Sequence, residues 1–159
     1  MSPKPLLKWV GGKTQLLPDI LQSIPVQMNN YHELFVGGGS VLFAVISRAK
    51  AGEIQLQGKA YAYDANESLI NMYKQVQQDY AKVYKCSKKL VDTYSSMEGT
   101  IVNRNPTSEE ESCSSKESYY YWIRRKYNAH TCEDAEKAGM FIFLNKTCFR
   151  GLYREGPNG

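Results

Sequence analysis

A glycine turn and an acidic residue are the features of this sequence best suited to chemistry. Gly37-Gly38-Gly39-Ser40 follows a short strand-like segment, residues 31–36, and Asp64 ends the next such segment. Glycines let the backbone turn sharply and leave room for a ligand at the edge of a sheet. An acid at the end of the neighbouring strand can accept hydrogen bonds from both hydroxyls of a ribose. This pair of features predicts an adenosine-containing cofactor.

The same residues also have a purely structural interpretation. The pattern is not the dinucleotide-binding fingerprint GxGxxG, because Leu42 stands where the third glycine is needed. Glycine-rich turns are common, and a tight turn with a helix-capping acid would explain Asp64 equally well. The residues by themselves leave both interpretations open.

A second glycine motif lies near the N-terminus. Gly11-Gly12-Lys13-Thr14 is similar to part of a phosphate-binding P-loop, but that loop needs a glycine five positions before Gly12, where Leu7 stands. A nucleotide-phosphate-binding enzyme is therefore a weak alternative. The segment is instead predicted to be a flexible turn that places the aromatic Trp9 and the cation Lys13 ahead of a helix. Trp9 taken alone suits a protein core better than a ligand platform.

Basic residues recur near the end of the chain. Lys146, Arg150 and Arg154 are spaced by four residues and interleaved with Phe149 and Leu152. Arginine can bond phosphate or grip guanine, and apolar side chains can wedge between base steps. The segment is therefore suited to nucleic acid, although an ordinary charged loop has the same spacing.

A further run of cations, Arg124-Arg125-Lys126, falls in a helical segment rich in aromatic residues. Consecutive residues on a helix splay around more than half of its circumference. These three cations are therefore predicted not to form one patch but a solvated face opposite a buried aromatic stripe.

Composition excludes several classes of protein. The chain has 159 residues, a hydrophobic fraction of 42% and a net charge of +4, which suit a packed core and an anionic partner. The four cysteines form no CxxC pair and the two histidines complete no metal-ligand spacing. No signal peptide and no run of about 18 apolar residues is present. We expect a cytoplasmic, metal-free protein that does not enter a membrane.

The pattern of elements predicts an α/β protein with a parallel sheet. Strands are predicted at residues 31–36 and 59–63, and helices at 14–24, from 41, from 66 with Asn66 as N-cap, at 80–92, 119–127 and 133–144, with an exposed loop at 95–118. The final Gly156-Pro157-Asn158-Gly159 is typical of a hairpin tip. Parallel sheets usually contain more than two strands, so the sheet is expected to be incomplete.

Five segments, in this order, resemble the Dam-like (D12 class, alpha-group) adenine-N6 DNA methyltransferases. They are similar to the family's KWxGGK, EPFxGxGS, DxNxxLIN, YYxxRxxYN and FLN[KR]xC[FY]NGLxR segments, and they begin here at Lys8, Glu33, Asp64, Tyr119 and Phe143. The match departs from the family at Leu34, where proline is usual, and at Arg150, where asparagine is common.

The resemblance implies an S-adenosylmethionine-dependent enzyme that methylates adenine N6 in double-stranded DNA, with a GATC-like site. It implies an incomplete Rossmann-like sheet in residues 1–69 and a mostly helical target-recognition domain in residues 70–159, ending in a DNA-reading hairpin. The implied cofactor-binding residues are Trp9, Gly12, Lys13, Glu33, Phe35, Gly37, Gly39, Ser40 and Asp64. The implied DNA-binding residues are Phe149, Arg150, Leu152 and Arg154.

The DPPY-type motif that performs the chemistry in this family does not occur in the sequence. The chain is therefore predicted to be the N-terminal portion of such an enzyme, to hold no catalytic residue and to be inactive alone. The alternative is a catalytically inactive DNA-binding remnant, or one half of a split methyltransferase completed by a separate C-terminal polypeptide.

Overall fold

The computed structural model describes residues 4–129 and 131–154, which divide into two compact units. One unit consists of the residues up to Glu67 together with those from Leu152 onward, and the other is Ser68–Gly151. The units are described separately below.

The N-terminal unit contains short helices and two small parallel sheets. After a 3₁₀ turn at Thr14–Leu16, its elements are α1 (Leu17–Gln22), β1 (Gln27–Met28), β2 (Tyr31–Glu33), α2 (Ser40–Lys50), β3 (Gln55–Leu56) and β4 (Ala60–Ala62). Strand β1 pairs with β3 and strand β2 pairs with β4, both in parallel. The described part of the chain is thus a mixed helix and strand protein with small sheets.

The predicted elements of this unit are present with shorter bounds. The helix expected at 14–24 begins as a 3₁₀ turn and becomes α-helical only at Leu17, with Pro18 in the first turn, where its missing N–H is tolerated. Strands β1 and β3 were not predicted, because a two-residue strand is too short for an alternating pattern.

The core of this unit lies between helices α1 and α2 and the strands. Val41, Val45 and Ile54 are buried at its centre. Met28 and Tyr31 pack against them. So do four side chains at helical spacing in α1 and its flanks, namely Leu17, Ile20, Leu21 and Ile24. This packing holds the strand ends that carry the candidate site.

The second unit is mainly helical. Its elements are α3 (Glu67–Ser95), which begins at the boundary between the units, α4 (Glu109–Ser112), α5 (Lys116–Asn128), α6 (Asp134–Thr147) and a 3₁₀ turn at Phe149–Gly151. Asp79 has non-helical backbone angles and divides α3 in two. Its carboxylate accepts a hydrogen bond from the Lys82 N–H at 2.9 Å and so caps the second half.

An aromatic cluster centred on Phe143 forms the core of the second unit. Phe143 is fully buried, and the rings of Tyr94 and Tyr119 meet it edge-on at 5.5 and 5.8 Å. A Cβ added at Gly139 would lie 2.8 Å from the Cβ of Cys86. Helix α6 therefore packs against α3 at a distance that only glycine allows.

The segment expected to be a loop, residues 95–118, is partly helical. Helix α5 begins at Lys116 rather than at residue 119, because Ser115 caps it by accepting a hydrogen bond from the Ser118 N–H. Helix α6 continues to Thr147, beyond the predicted end at 144. The predicted hairpin tip at residues 156–159 lies outside the described residues.

Candidate functional site

The two strands that carry the candidate residues end at the same edge. Glu33 is in register with Ala62. Beyond the strands the pairing continues, because the Tyr63 N–H donates to the Glu33 carbonyl and the Val36 N–H donates to the Tyr63 carbonyl, both at 2.8 Å. The glycine turn and Asp64, each of which follows one strand, therefore lie side by side, as is usual for ligand sites at the carboxyl ends of parallel strands.

The glycine turn has a backbone that requires glycine. Gly37 and Gly39 have φ angles of +48° and +79°, a region that residues with a side chain rarely adopt. A Cβ added at Gly37 would lie 3.0 Å from Cδ1 of Trp9, and one at Gly38 would lie 2.7 Å from the Leu7 carbonyl oxygen. The N-terminal segment thus packs directly on the turn, and Gly39 then caps α2.

Asp64 joins the two sides of this edge. One carboxylate oxygen accepts a hydrogen bond from the Gly37 N–H and the other from the Asn66 N–H, each at 3.0 Å. Because a carboxylate has about four acceptor sites, both oxygens keep capacity for a further donor. Asp64 is half-buried. It can therefore fix the turn and still accept hydrogen bonds from two vicinal hydroxyls.

The turn, the two strand ends and the N-terminal segment enclose a cavity of about 280 Å³. It is close to the lower end of the ~300–1,000 Å³ range of small-molecule sites. Every predicted cofactor-binding residue except Gly39 lines it: Trp9, Gly12, Lys13, Glu33, Phe35, Gly37, Ser40 and Asp64. Gly39 is buried as the N-cap of α2 instead.

Four residues that were not among the predicted cofactor-binding residues also line this cavity. They are Val10, Gly11, Val36 and Gly38, which are chain neighbours of the predicted residues. Their proximity in sequence was the available signal. The cavity lining suits an adenosine compound with a charged tail. It combines a carboxylate that can accept hydrogen bonds from ribose hydroxyls, the cation Lys13 and the aromatic rings of Trp9 and Phe35.

The Glu33 carboxyl in the cavity wall is perturbed by its burial. Burial raises the pKa of its carboxyl above the usual value of 4.5, although hydrogen bonds from Tyr31 and from the Leu42 backbone and the nearby Lys13 oppose the rise. The Tyr31 hydroxyl donates to Glu33 Oε2 at 3.0 Å, and the pKa of Tyr31 is raised in turn, first by burial and then by this carboxylate. Tyr31 thus orients Glu33, a role the sequence did not indicate.

A larger cavity of about 580 Å³ lies in the second unit, and three arginines line it. Arg124 and Arg125 come from α5 and Arg104 from the loop between α3 and α4, with Tyr121 and Asn128 beside them. The three consecutive cations of α5 do not line this cavity together, in agreement with the prediction that they form no single patch. Lys126 does not line the cavity, but Arg104 completes a cationic site that the helix alone does not make.

Neighbouring groups hold two of these arginines in place. Arg125 Nη1 donates to the Pro106 carbonyl at 2.7 Å. Arg104 Nε donates to Glu117 Oε1 at 3.0 Å. Arg124 is exposed and makes no hydrogen bond or ion pair within the described parts of the chain. Its guanidinium is thus available to an anion at the cavity surface.

The predicted DNA-binding residues lie on both sides of the unit boundary. Phe149 is 72% exposed, and the Arg150 guanidinium lies 5.1 Å from the centre of its ring. Arg150 has a φ of +60° within the 3₁₀ turn that ends the second unit. Leu152 is half-buried and Arg154 is exposed, and both belong to the N-terminal unit.

Residues 4–129 and 131–154 contain neither a cluster of metal ligands nor a membrane-spanning helix. No group of three or more His, Cys, Asp or Glu side chains there could hold a metal ion. No helix of that region is long and apolar enough to cross a membrane.

Comparison with known proteins identifies the family. Residues 9–159 match the sequence profile of the D12 class N6 adenine-specific DNA methyltransferases. The chain belongs to this family. The resemblance drawn from the five sequence segments is thereby confirmed.

Several relatives match nearly the whole chain. It is 33% identical to the Type II methyltransferase M.MjaIII of Methanocaldococcus jannaschii, an alignment that covers 100% of this chain and 50% of that protein. It is 30% identical to the DNA adenine methylase of Haemophilus influenzae, covering 97% of this chain and 44% of that protein. It is 29% identical to the DNA N-6-adenine-methyltransferase of Escherichia phage P1, covering 97% of this chain and 16% of that protein. The chain therefore spans half or less of the length of these relatives.

Proposed function

We propose that this chain supplies the cofactor-binding portion and part of the DNA-recognition portion of a site-specific adenine-N6 DNA methyltransferase. The observation that carries the proposal is the cavity at the strand ends. In a chain of the D12 family, it gathers residues from the N-terminal segment, the glycine turn and the end of β4. The two relatives named as adenine methyltransferases or methylases, from Escherichia phage P1 and Haemophilus influenzae, support the same reaction. The mixed helix and strand fold is compatible with a Rossmann-like sheet of which this chain forms a part.

The proposed cofactor is S-adenosylmethionine, which when bound supplies the methyl group. Asp64 would accept hydrogen bonds from the ribose hydroxyls with the acceptor capacity that its two backbone contacts leave. Glu33 and Lys13 would hold the charged methionine portion. Trp9 and Phe35 would exclude water from the pocket walls. These roles agree with the family segments to which the residues belong.

The proposed partner is double-stranded DNA. Phe149 would wedge between base steps, while Arg150, Leu152 and Arg154 approach bases or phosphates, with a GATC-like site as the preference. The cavity of Arg104, Arg124 and Arg125 supports this partner, because guanidinium groups bind phosphate through paired hydrogen bonds. The target adenine must leave the duplex, since its N6 amine is otherwise paired and inaccessible.

Adenine methylation in this family also needs a DPPY-type motif, whose groups orient the lone pair of the amine. No such motif occurs in the sequence, so we expect this polypeptide by itself to bind cofactor and DNA without turnover. A methylation assay that gave robust activity from the 159-residue chain alone would overturn this expectation.

The first experiment is a calorimetric titration of the chain with S-adenosylmethionine. Wild type and the variants Asp64→Asn and Asp92→Ala would be compared. Asp92 is an exposed acid of the second unit that pairs only with Lys88 among the described residues, so its loss is expected to leave binding unchanged. Binding that weakens in Asp64→Asn supports the proposed pocket, whereas no binding by wild type contradicts it.

The DNA part has a separate test in the arginine cavity. Arg124→Ala is compared with Lys126→Ala, a neighbouring cation on the same helix that does not line the cavity. Loss of one phosphate contact makes the negative slope of log K against log salt shallower by about 0.9. We expect this change for Arg124→Ala and not for Lys126→Ala, measured by fluorescence anisotropy on a labelled duplex. Equal slopes would contradict a phosphate site in the cavity.

A split enzyme is the second candidate. Leu34 and Phe35, beside the pocket, are 63% and 74% exposed, and large exposed apolar groups in a soluble unit favour a binding partner. A separate polypeptide that carries the DPPY motif would then restore methylation when mixed with this chain. A DNA-binding remnant would bind the duplex and gain no activity from that addition.

A further inference from the structure

Trp9 forms the wall of the cofactor cavity that covers the glycine turn. It is half-buried and lines the cavity. Its Cδ1 lies 3.0 Å from the place that a Cβ of Gly37 would occupy. Gly37 is also the residue whose N–H donates to Asp64. Any movement of the Trp9 ring would therefore change the space above the turn.

A second ring holds Trp9 from the other end of the chain. Tyr153 stacks on it with ring centroids 5.3 Å apart and planes inclined by 23°. Both residues belong to the N-terminal unit. Offset stacks of this geometry are attractive beyond the area that they bury. Tyr153 thus contacts a cavity wall without lining the cavity itself.

Tyr153 lies between two residues that are proposed to contact DNA. Leu152 precedes it and Arg154, which is exposed, follows it. Contact of Arg154 with DNA would restrict the backbone of this segment and hold the adjacent Tyr153 ring in its stack with Trp9. A ligand at either place would then reduce the ordering cost of binding at the other.

We propose that Tyr153 is a positioning residue that holds Trp9 over the cofactor pocket and couples cofactor binding to DNA binding. The inference rests on the proposed function, since it assumes that the pocket takes S-adenosylmethionine and that residues 152–154 meet DNA. Linkage requires the coupling to be reciprocal, so DNA tightens cofactor binding by the same factor by which cofactor tightens DNA binding.

Three variants of the full chain test this role. Tyr153→Ala removes the stack and Tyr153→Phe keeps it. Tyr61→Ala is the matched control, because Tyr61 also stacks in the N-terminal unit, on His32 at 4.7 Å, but does not line the cavity. The dissociation constant of S-adenosylmethionine is measured by calorimetry with and without a duplex of about 20 base pairs, which is about two helical turns of DNA.

We expect Tyr153→Ala to weaken cofactor binding about 2- to 12-fold, the range given by the energy of an aromatic pair. We also expect it to abolish the tightening by DNA that wild type and Tyr153→Phe show. The decisive measurement is the ratio of the dissociation constants of S-adenosylmethionine without and with the duplex. If Tyr153 only stabilised the fold, replacing it would leave this ratio unchanged in the molecules that remain folded.

Three results overturn the inference, and they differ from failure of the proposed function. If wild type binds cofactor and Tyr153→Ala binds it equally well, Tyr153 does not position Trp9. If Tyr153→Ala keeps the wild-type ratio, or wild type shows no tightening, the coupling is absent. Absence of any cofactor binding by wild type would instead refute the proposed function itself, and this inference with it.

Discussion

Replacing Asp64 tests how far the pocket depends on one carboxylate before any ligand binds. Its two hydrogen bonds join the glycine turn to the start of α3. A hydrogen bond to a charged group contributes about 1.5–3 kcal/mol, and the lower value applies because Asp64 is half-buried. Asp64→Ala is therefore expected to lower the free energy of unfolding by about 2–3 kcal/mol, and Asp64→Asn, which keeps one acceptor oxygen, by about half as much.

Urea unfolding of the N-terminal unit measures this effect. The chain has two tryptophans, so in a Trp122→Phe background the fluorescence of Trp9 follows the unit that contains Asp64. S-adenosylmethionine at 100 times its dissociation constant should raise the free energy of unfolding of wild type by about 2.7 kcal/mol. We expect a smaller rise for Asp64→Asn and none for Asp64→Ala.

The outcome separates the structural part of Asp64 from its ligand part. A free energy of unfolding of Asp64→Ala within about 0.5 kcal/mol of the wild-type value, the scatter of ordinary surface substitutions, would refute the argument that the carboxylate holds the turn. If Asp64→Ala unfolds at the wild-type urea midpoint but is no longer stabilised by S-adenosylmethionine, the carboxylate acts only by accepting hydrogen bonds from the ribose. Asp64→Ala loses both backbone hydrogen bonds, whereas Asp64→Asn keeps one acceptor oxygen, so Asp64→Asn is the better variant for titration.

Three further predictions follow from buried groups. Burial raises the pKa of Glu33 above 4.5, so the stability that its carboxyl contributes is present below about pH 4.5 and is lost as the pH rises through the raised pKa. The free energy of unfolding of wild type minus that of Glu33→Gln should therefore fall as the pH is raised through this range. Parallel pH profiles of the two proteins would contradict this prediction. Phe143→Ala should lower the free energy of unfolding, measured in urea, by about 3–5 kcal/mol because the ring is fully buried. Phe149→Ala removes an exposed ring, so its free energy of unfolding should stay within about 0.5 kcal/mol of the wild-type value, and it should weaken DNA binding instead. Gly139→Ala should cost about 1–3 kcal/mol because its Cβ would meet Cys86, and a wild-type midpoint would show that α3 and α6 can separate without strain.

Features encoded within a short stretch of chain were accessible from the sequence. The glycines at 37 and 39 indicate a sharp turn with positive φ angles, which few other residues adopt, and both residues have positive φ. Helices α2, α5 and α6 were predicted from apolar spacing, because a helix needs only local periodicity to bury one face. The family was recognised for a related reason, since its motifs are contiguous segments in a fixed order.

Contacts between distant parts of the chain were decided only by the tertiary structure. Arg104 joins Arg124 and Arg125 because a loop folds back onto α5, and no spacing along the helix could show that. Tyr153 meets Trp9 although most of the chain separates them. The strand pair β1–β3 likewise depends on hydrogen bonds to a remote partner. The sequence by itself therefore determined the local turns, the helices and the family, whereas the tertiary structure decided which charged and aromatic side chains share a surface, because that depends on how distant segments pack.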